Sequence, residues 1–240
     1  MYQKLTLTLI YVSLSYFLTL DVSAQNVELD EIQVTATRLN YSLRDSARSV
    51  SIIDQEQIQN ATQKLALDEV LAGVPGLYMQ NRYNFAQDLR ISLRGFGARS
   101  AFGIRGVKVI VDGIPETLPD GQAGVDSIDL GSARRIEVIR GPASSHDGNA
   151  AGGVIAIESE SGRAPAFIQT NISGGDLDNK KLQLKTGGKS QNIDYLLNLA
   201  QQDLAGFRKH SKSEGTVLNG KFGLQINPSD RLNLSINCRY

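Results

Sequence analysis

Apolar positions change their spacing several times along the chain, and each change marks a different kind of element. Leu5 to Leu20 is an apolar run. Ile32, Val34 and Ala36 then alternate with Gln33 and Thr35, the period-2 signature of a short strand. From 41 to about 160 the pattern is mixed. "SVSIIDQEQIQN" reads as a strand, a turn and a helix start with Asp54 as N-cap. In "ATQKLALDEVLAGVPGLYM", Leu65, Val70 and Leu71 predict a helical face, with Gly73 as its C-cap and Pro75 as its stop. "LRISLRGFGARS" alternates through Leu89, Ile91 and Leu93, and "GVKVIVDGIPET" is a strand running into an Asp112–Gly113 turn. "RIEVIRG" and Val154–Glu158 supply two more strands, giving a small α+β domain with one or two short helices.

Beyond residue 163 the alternation becomes long and regular. "NIDYLLNLA" places Ile193, Tyr195, Leu197 and Leu199 on one face, and "GKFGLQIN" adds Phe222, Leu224 and Ile226. "RLNLSINCRY" sets Leu232, Leu234, Ile236, Cys238 and Tyr240 against Arg231, Asn233, Ser235, Asn237 and Arg239. Five strands are predicted, near 166–173, 180–187, 192–201, 215–226 and 231–240. Segments of about ten residues with one apolar face suit transmembrane β-strands, but a soluble sandwich with one wet face gives the same pattern. The connections alternate in length: "LAGFRKHSKSEG" is long, while "GGKSQN" and "NPSD" are short, as outer loops and periplasmic turns would be.

Composition narrows the chemistry. The 240 residues carry 25 Lys+Arg and 25 Asp+Glu, so charge gives no case for nucleic acid. With 41% hydrophobic residues, 23 glycines and six prolines, the chain suits a strand- and turn-rich protein. Cys238 is the single cysteine, so no intrachain disulfide forms, and one Cys with His146 and His210 makes no Cys/His zinc cluster. That argues against metal bound directly by side chains and leaves open metal carried inside a chelator. "GFGARS" has Ser100 where a dinucleotide fingerprint needs its third glycine, and there is no P-loop or nucleophile elbow. Asp112 and Asp120 each precede glycine, ordinary turn chemistry. No constellation supports an enzyme.

The leader has one early positive charge, Lys4, and ends in the small residues "VSA". That is the layout of a signal peptide over 1–24, cleaved after Ala24. The alternative, a membrane anchor, fits less well: the run contains several Ser and Thr, stops at Asp21 and is short of a ~20-residue span. The period-2 segment in "DEIQVTATR" is followed by "NYSLRDSARS", which reads as linker and offers no partner strand. Two readings stand. The segment joins the next domain as an edge strand, or it adds to an exposed sheet edge on another protein.

Taken together, "DEIQVTATR", "DEVLAGVPGLYM", "LRISLRGFG", "VIVDGIPE" and above all "RRIEVIRGPASSHDGNAAGGVIAIES" resemble the N-terminal part of TonB-dependent outer-membrane receptors. The resemblance is close from about 30 to 160. It implies an α+β plug domain followed by the first strands of an antiparallel transmembrane β-barrel. The implied division is a signal peptide over 1–24, a TonB-box segment and linker over 25–40, the plug over 41–160 and an incomplete barrel over 161–240. In the family the plug lodges in a 22-stranded barrel.

The resemblance also implies roles for particular residues. The strand Glu31, Ile32, Gln33, Val34, Thr35 and Ala36 would add to TonB, energised with ExbB and ExbD. Plug apices near Arg82, Tyr83 and Asn84, near Arg99, Ser100 and Phe102, and up to Gln122 would meet the ligand. The charges that bracket a strand, Arg135, Glu137 and Arg140, together with Arg94, would face the barrel. No cofactor is implied. The ligand would be a metal chelate, such as a ferric siderophore, haem or cobalamin, and the apical arginines favour an anionic ferric chelate of citrate or hydroxamate type. The location implied is the outer membrane, with lipid around the strands. Five strands cannot close a barrel around a plug, so the chain reads as the front portion of a longer receptor and is not expected to transport alone. A soluble periplasmic binding or signalling module is the alternative.

Overall fold

A computed structural model describes residues 33–34, 41–42, 48–61, 64–80, 84, 87–101, 103–143, 147–176, 178–206 and 210–240. The elements are β1 (Gln33–Val34), β2 (Tyr41–Ser42), β3 (Ser49–Ile53), α1 (Gln55–Gln59), α2 (Asp68–Leu71), β4 (Leu77–Gln80), β5 (Arg90–Leu93), β6 (Ile104–Arg105), β7 (Val107–Val111), β8 (Ile114–Pro115), β9 (Gln122–Ala123), β10 (Ala133–Arg140), β11 (Gly153–Ser159), β12 (Phe167–Gly175), β13 (Asn179–Ser190), β14 (Ile193–Leu204), β15 (Ser213–Gln225) and β16 (Arg231–Arg239).

The α+β part is organised by a five-stranded sheet in the order β3-β10-β11-β7-β8. β10 pairs antiparallel with β3 and β11, while β11 runs parallel to β7. Alternation along β10 divides its side chains between two faces. Ile136 and Val138 join Val107, Val109, Ile155 and Ile157 in the main core, which α1 and α2 close through Ile58 and Leu71. Ile139 turns the other way and packs with Val154, Ala143 and Ala150. Each such side chain, when fully buried, contributes about 1.5–3 kcal/mol. α1 starts as the sequence predicts: the Asp54 carboxylate accepts from Gln57 N at 2.8 Å, and Gln57 Oε1 accepts from Asp54 N at 3.2 Å. The β7–β8 turn also forms as predicted. Asp112 and Gly113 both take positive φ, 50° and 82°, the pair a type I′ hairpin demands.

Two expectations are corrected. The second helix is only Asp68–Leu71, and its C-cap is Ala72 in right-handed geometry, so Gly73 is not the left-handed cap. The cause lies upstream. Glu69 turns its carboxylate back to accept from the backbone N–H of Lys64 at 2.9 Å and of Leu65 at 2.6 Å. Lys64 takes a φ of 54°, which a helix cannot continue through. Second, the stretch after the "DEIQVTATR" segment does hold a partner strand. β1 pairs antiparallel with β2, Gln33 opposite Ser42 and Val34 opposite Tyr41.

The C-terminal part is one antiparallel meander, β12-β13-β14-β15-β16. All five strands fall where the alternation puts them, and they are 9, 12, 12, 13 and 9 residues long. A two-residue turn, Gln191–Asn192, joins β13 to β14. The longest connection between these strands spans 205–212, between β14 and β15.

The polarity of this sheet is inverted relative to a soluble one. Ile168 and Ile172 are 77% and 80% exposed, and Leu182, Leu184, Leu199, Leu218, Leu234 and Ile236 stand on the same open face. Lys181, Gln183, Lys185, Asn198, Gln202 and Asn219, on the opposite face, are all buried. A sandwich sheet buries its apolar side, so this arrangement separates the two readings that the sequence leaves open. It is the polarity of a barrel wall, whose apolar side faces lipid.

Candidate functional site

The buried polar face of the meander carries the charged and amide side chains of β13 to β15. It lies against the α+β part, and a chain of bonds runs along the seam. β13 contributes Lys181 and Lys185. Lys181 Nζ donates to the Lys64 carbonyl at 2.6 Å and sits 3.9 Å from the Asp129 carboxylate. Lys185 Nζ pairs with Glu160 at 2.6 Å and donates to the Gly131 carbonyl at 3.1 Å. β14 contributes Asn198, wholly buried, whose amide donates to Asp129 at 2.6 Å and accepts from Gln183 at 2.6 Å. β15 contributes Asn219, which donates to the Ser132 hydroxyl at 3.4 Å, and Lys221, which pairs with Asp112 at 3.0 Å. On β16, Arg239 donates to the Asp126 carbonyl.

The α+β part meets these groups with two compact pieces. One is the turn Asp129–Ser132. The Gln183 amide sits so close over Gly131 that a Cβ there would collide with it, and Gln183 is held by Asn198 and Asn171. The other is Ser159–Glu160 at the end of β11. Its backbone is fixed by Ser159 N donating to Asp112 at 2.9 Å and Glu160 N donating to the Ser132 carbonyl at 2.8 Å. Buried charges persist where they are paired and hydrogen-bonded, and each charge here meets that condition.

Electrostatics at the edge of the seam is perturbed in two places. The Lys64 ammonium is held below its usual range, first by burial and then by the Lys185 charge, against the pull of Asp129 and Glu69. Asp126 keeps contact with water, yet its carboxyl is pushed up to about 6, by desolvation first, then by a hydrogen bond and charge from Asp88, against Arg239.

Beside the seam, the second face of the mixed sheet and β16 bound a cavity of about 730 Å³, lined among others by Lys108, Asp112, Arg135, Glu137, Lys221 and Asn233. Glu137 is buried and pairs with Arg135 at 3.0 Å. Among the described residues no three His, Cys, Asp or Glu side chains could hold a metal ion. The site is an adhesive surface between two bodies of one chain.

A family model described as "TonB-dependent Receptor Plug Domain" matches residues 42–154. The chain carries a TonB-dependent receptor plug domain. The match ends inside β11, and the meander begins thirteen residues further on, at Phe167. The chain is 28% identical over 239 residues to a hemin receptor of Yersinia pestis, covering 92% of this chain and 33% of that one. It is 27% identical over 165 residues to a vitamin B12 transporter of Vibrio vulnificus, covering 68% and 26%. It is 24% identical over 220 residues to a ferric aerobactin receptor of Klebsiella pneumoniae, covering 88% and 28%. It thus spans between a quarter and a third of the length of these relatives.

Among solved structures, the ferripyoverdine receptor of Pseudomonas aeruginosa superposes with a TM-score of 0.71 at 20% identity, over 87% of this chain and 27% of that one. The ferric yersiniabactin uptake receptor of Yersinia pestis gives 0.66 at 21% identity, over 80% and 31%. These likenesses fix the fold, plug and wall strands together.

The residues singled out in the sequence are distributed as follows. Of the strand over 31–36, Gln33 and Val34 form β1, while Glu31, Ile32, Thr35 and Ala36 lie outside the described residues. Arg82, Tyr83 and Phe102 also lie outside them, as does the leader over 1–24. β6 and β9 pair antiparallel, with Ile104 opposite Ala123 and Arg105 opposite Gln122. There the Arg105 guanidinium donates to Gln122 at 3.2 Å. Arg99 is exposed, whereas Ser100 is buried and its hydroxyl donates to the Gly103 carbonyl at 3.2 Å. Asn84 is exposed.

Arg135 and Glu137 share the cavity with Lys221 and Asn233 of the wall strands. Arg140 donates to the Pro75 carbonyl at 3.2 Å, and Arg94 N donates to the Gly76 carbonyl, both within the plug. The seam residues themselves were not singled out. A usable signal existed in "KKLQLKT", where Lys181, Gln183 and Lys185 alternate with Leu182 and Leu184.

Proposed function

We propose that this chain supplies the front of an outer-membrane receptor that takes up a metal chelate with energy from TonB. The observation that carries the reading is the inverted sheet: an apolar face left open, and behind it a face whose lysines and asparagines bond to the plug. Such a sheet is stable where its open side meets hydrocarbon. A soluble periplasmic module would expose that same face to water, an apolar surface far beyond what monomers leave bare.

On this reading the leader over 1–24 directs export and is removed, and the plug over 41–160 blocks the lumen formed by strands from 161 onward. The strand Glu31, Ile32, Gln33, Val34, Thr35 and Ala36 adds to a strand of TonB in the periplasm, with ExbB and ExbD supplying the energy. The wall contacts outer-membrane lipid. The ligand is a small anionic ferric chelate of siderophore or citrate type, met at the apices by Arg82, Tyr83, Asn84, Arg99, Phe102 and Gln122. Relatives named for hemin, vitamin B12 and aerobactin all handle metal held inside a chelator, which supports the class. Ser100 acts there through the backbone it fixes, since its hydroxyl is already spent inside the loop.

The test is uptake of radiolabelled ferric citrate and a ferric hydroxamate by cells lacking their own receptors and expressing the receptor that carries this sequence, with and without TonB. Uptake that requires TonB, with the protein in the outer-membrane fraction, is the expected result. Recovery of the protein in the soluble periplasm would overturn the reading. TonB-dependent uptake of haem or cobalamin instead would keep the receptor and replace its ligand.

A further inference from the structure

Two residues of the strand that the proposed function assigns to TonB, Gln33 and Val34, are already paired. β1 and β2 form a two-stranded sheet of their own, antiparallel, with Gln33 opposite Ser42 and Val34 opposite Tyr41. Six residues separate the two strands, a short closure. In an antiparallel ladder one residue spends both its N–H and C=O on the residue opposite, and its neighbour directs both away. β2 therefore occupies one edge of β1 and leaves the other edge with its backbone groups pointing outward. No third strand joins this sheet among the described residues.

Resting on the reading of 31–36 as the TonB-binding strand, we infer that Tyr41–Ser42 is a resident template: TonB adds to the free edge of β1, making a three-stranded β2-β1-TonB sheet, and β2 is not displaced. Two arguments carry this. A two-stranded ribbon is marginal in water, and a third strand is what makes such a sheet stable. Ordering a residue's backbone costs roughly 1–2 kcal/mol, and β2 has met that cost for Gln33 and Val34 before the partner arrives. The pairing also sets register. A one-residue slip would exchange the outward-facing backbone groups and turn every side chain over, so β2 decides which groups of β1 the partner meets. The partner this surface fits is an extended strand at the open edge of a sheet, and residues outside the motif contribute to its affinity.

The experiment uses the mature receptor with Cys238, and any cysteine beyond residue 240, replaced by serine, so that no other thiol competes. Gln33→Cys with Ser42→Cys places two thiols directly across the ladder, where facing Cβ atoms lie about 4.5–5.5 Å apart. Binding of the TonB periplasmic domain is measured on this variant reduced and oxidised, and separately on Ser42→Pro. The oxidised form is expected to bind at least as tightly as the reduced form. Ser42→Pro, which removes a backbone donor from β2, is expected to weaken binding roughly tenfold. Loss of binding on oxidation would mean that TonB displaces β2, and the inference falls. It falls equally if the disulfide does not form, or if Ser42→Pro binds as well as wild type. Val34→Pro separates the two claims: if it leaves binding intact, the assignment of the TonB strand itself has failed.

Discussion

Replacing Lys185 with methionine tests whether the seam is held by paired charges or merely by shape. Methionine keeps most of the stem, so packing along β13 changes little. What changes is Glu160, whose side chain is 10% exposed and whose partner at 2.6 Å disappears. The Gly131 carbonyl loses its donor as well. Breaking one side of a buried pair costs about 3–5 kcal/mol, most of it the cost of an uncompensated charge. If both members are replaced, as in Lys185→Met/Glu160→Met, the charge is gone. What remains is an unpaired carbonyl worth about 1–3 kcal/mol. The two residues should therefore couple by at least about 2 kcal/mol in a double-mutant cycle.

The local reporter is the amide of residue 160, which donates to the Ser132 carbonyl at 2.8 Å and exchanges when the backbone of this anchor, no longer held by Lys185, opens. In purified receptor in detergent, the single variant should exchange that amide about a hundredfold faster, and the double variant should recover most of the protection. A single variant that exchanges less than about tenfold faster would refute the reasoning. So would a double variant as labile as the single one, which would make the seam a matter of fit and not of charge.

Two further outcomes follow from features already described. The Asp126 carboxyl rises from 3.8 to about 6 in the folded chain, so the fold binds more protons than the unfolded chain between those values. Its contribution to stability is then complete below about pH 4 and lost as pH rises through about 6. Asp126→Asn should accordingly be more stable than wild type at pH 7.5, with a flatter melting-temperature curve between pH 4 and 6. A wild-type curve that rises across that window in parallel with the variant's would contradict this. Leu199 stands on the open face, flanked by Leu184 and Leu218 on the neighbouring strands. Leu199→Arg should cost about 2–4 kcal/mol near the bilayer midplane and reduce the heat-modifiable barrel band on gels. Assembly equal to wild type would mean that this face does not meet lipid.

What could be read from the sequence was what is local. The Asp54–Gln57 capping box, the Asp112–Gly113 turn and the five long strands each depend on residues within a few positions of one another. The second helix was overestimated because a single side chain, Glu69, bonds backward to Lys64 and Leu65, and no periodicity encodes that. β2 is two residues long, too short for alternation to register. The seam was missed for a different reason. Asp112 meets Lys221 across 109 residues and Asp129 meets Asn198 across 69, so their partners are set by how the two bodies nest. Asp112 shows the limit well. Its place in a tight turn was legible, but the same carboxylate also ties Ser159 and Lys221 together across the seam. The direction of the sheet was undecidable from alternation alone, because the same pattern serves water outside and lipid outside.

The seam's chemistry has a mechanical consequence. The plug's own core is held by apolar side chains such as Ile136, Val138 and Ile155, and separating those surfaces exposes them to water at full cost. The plug's bonds to the wall are made by ammonium, carboxylate, amide and carbonyl groups such as Lys185, Glu160, Asn198 and Asp129. Water can take over each of these contacts in turn, and a typical hydrogen bond is worth only about 0.5–1.5 kcal/mol net. A pull on the N-terminal strand would therefore meet two materials in series: a cohesive interior that resists as a unit, and a boundary that yields one exchange at a time. The boundary behaves as a wetted bearing, firm at rest and able to slip under load without leaving either surface stranded.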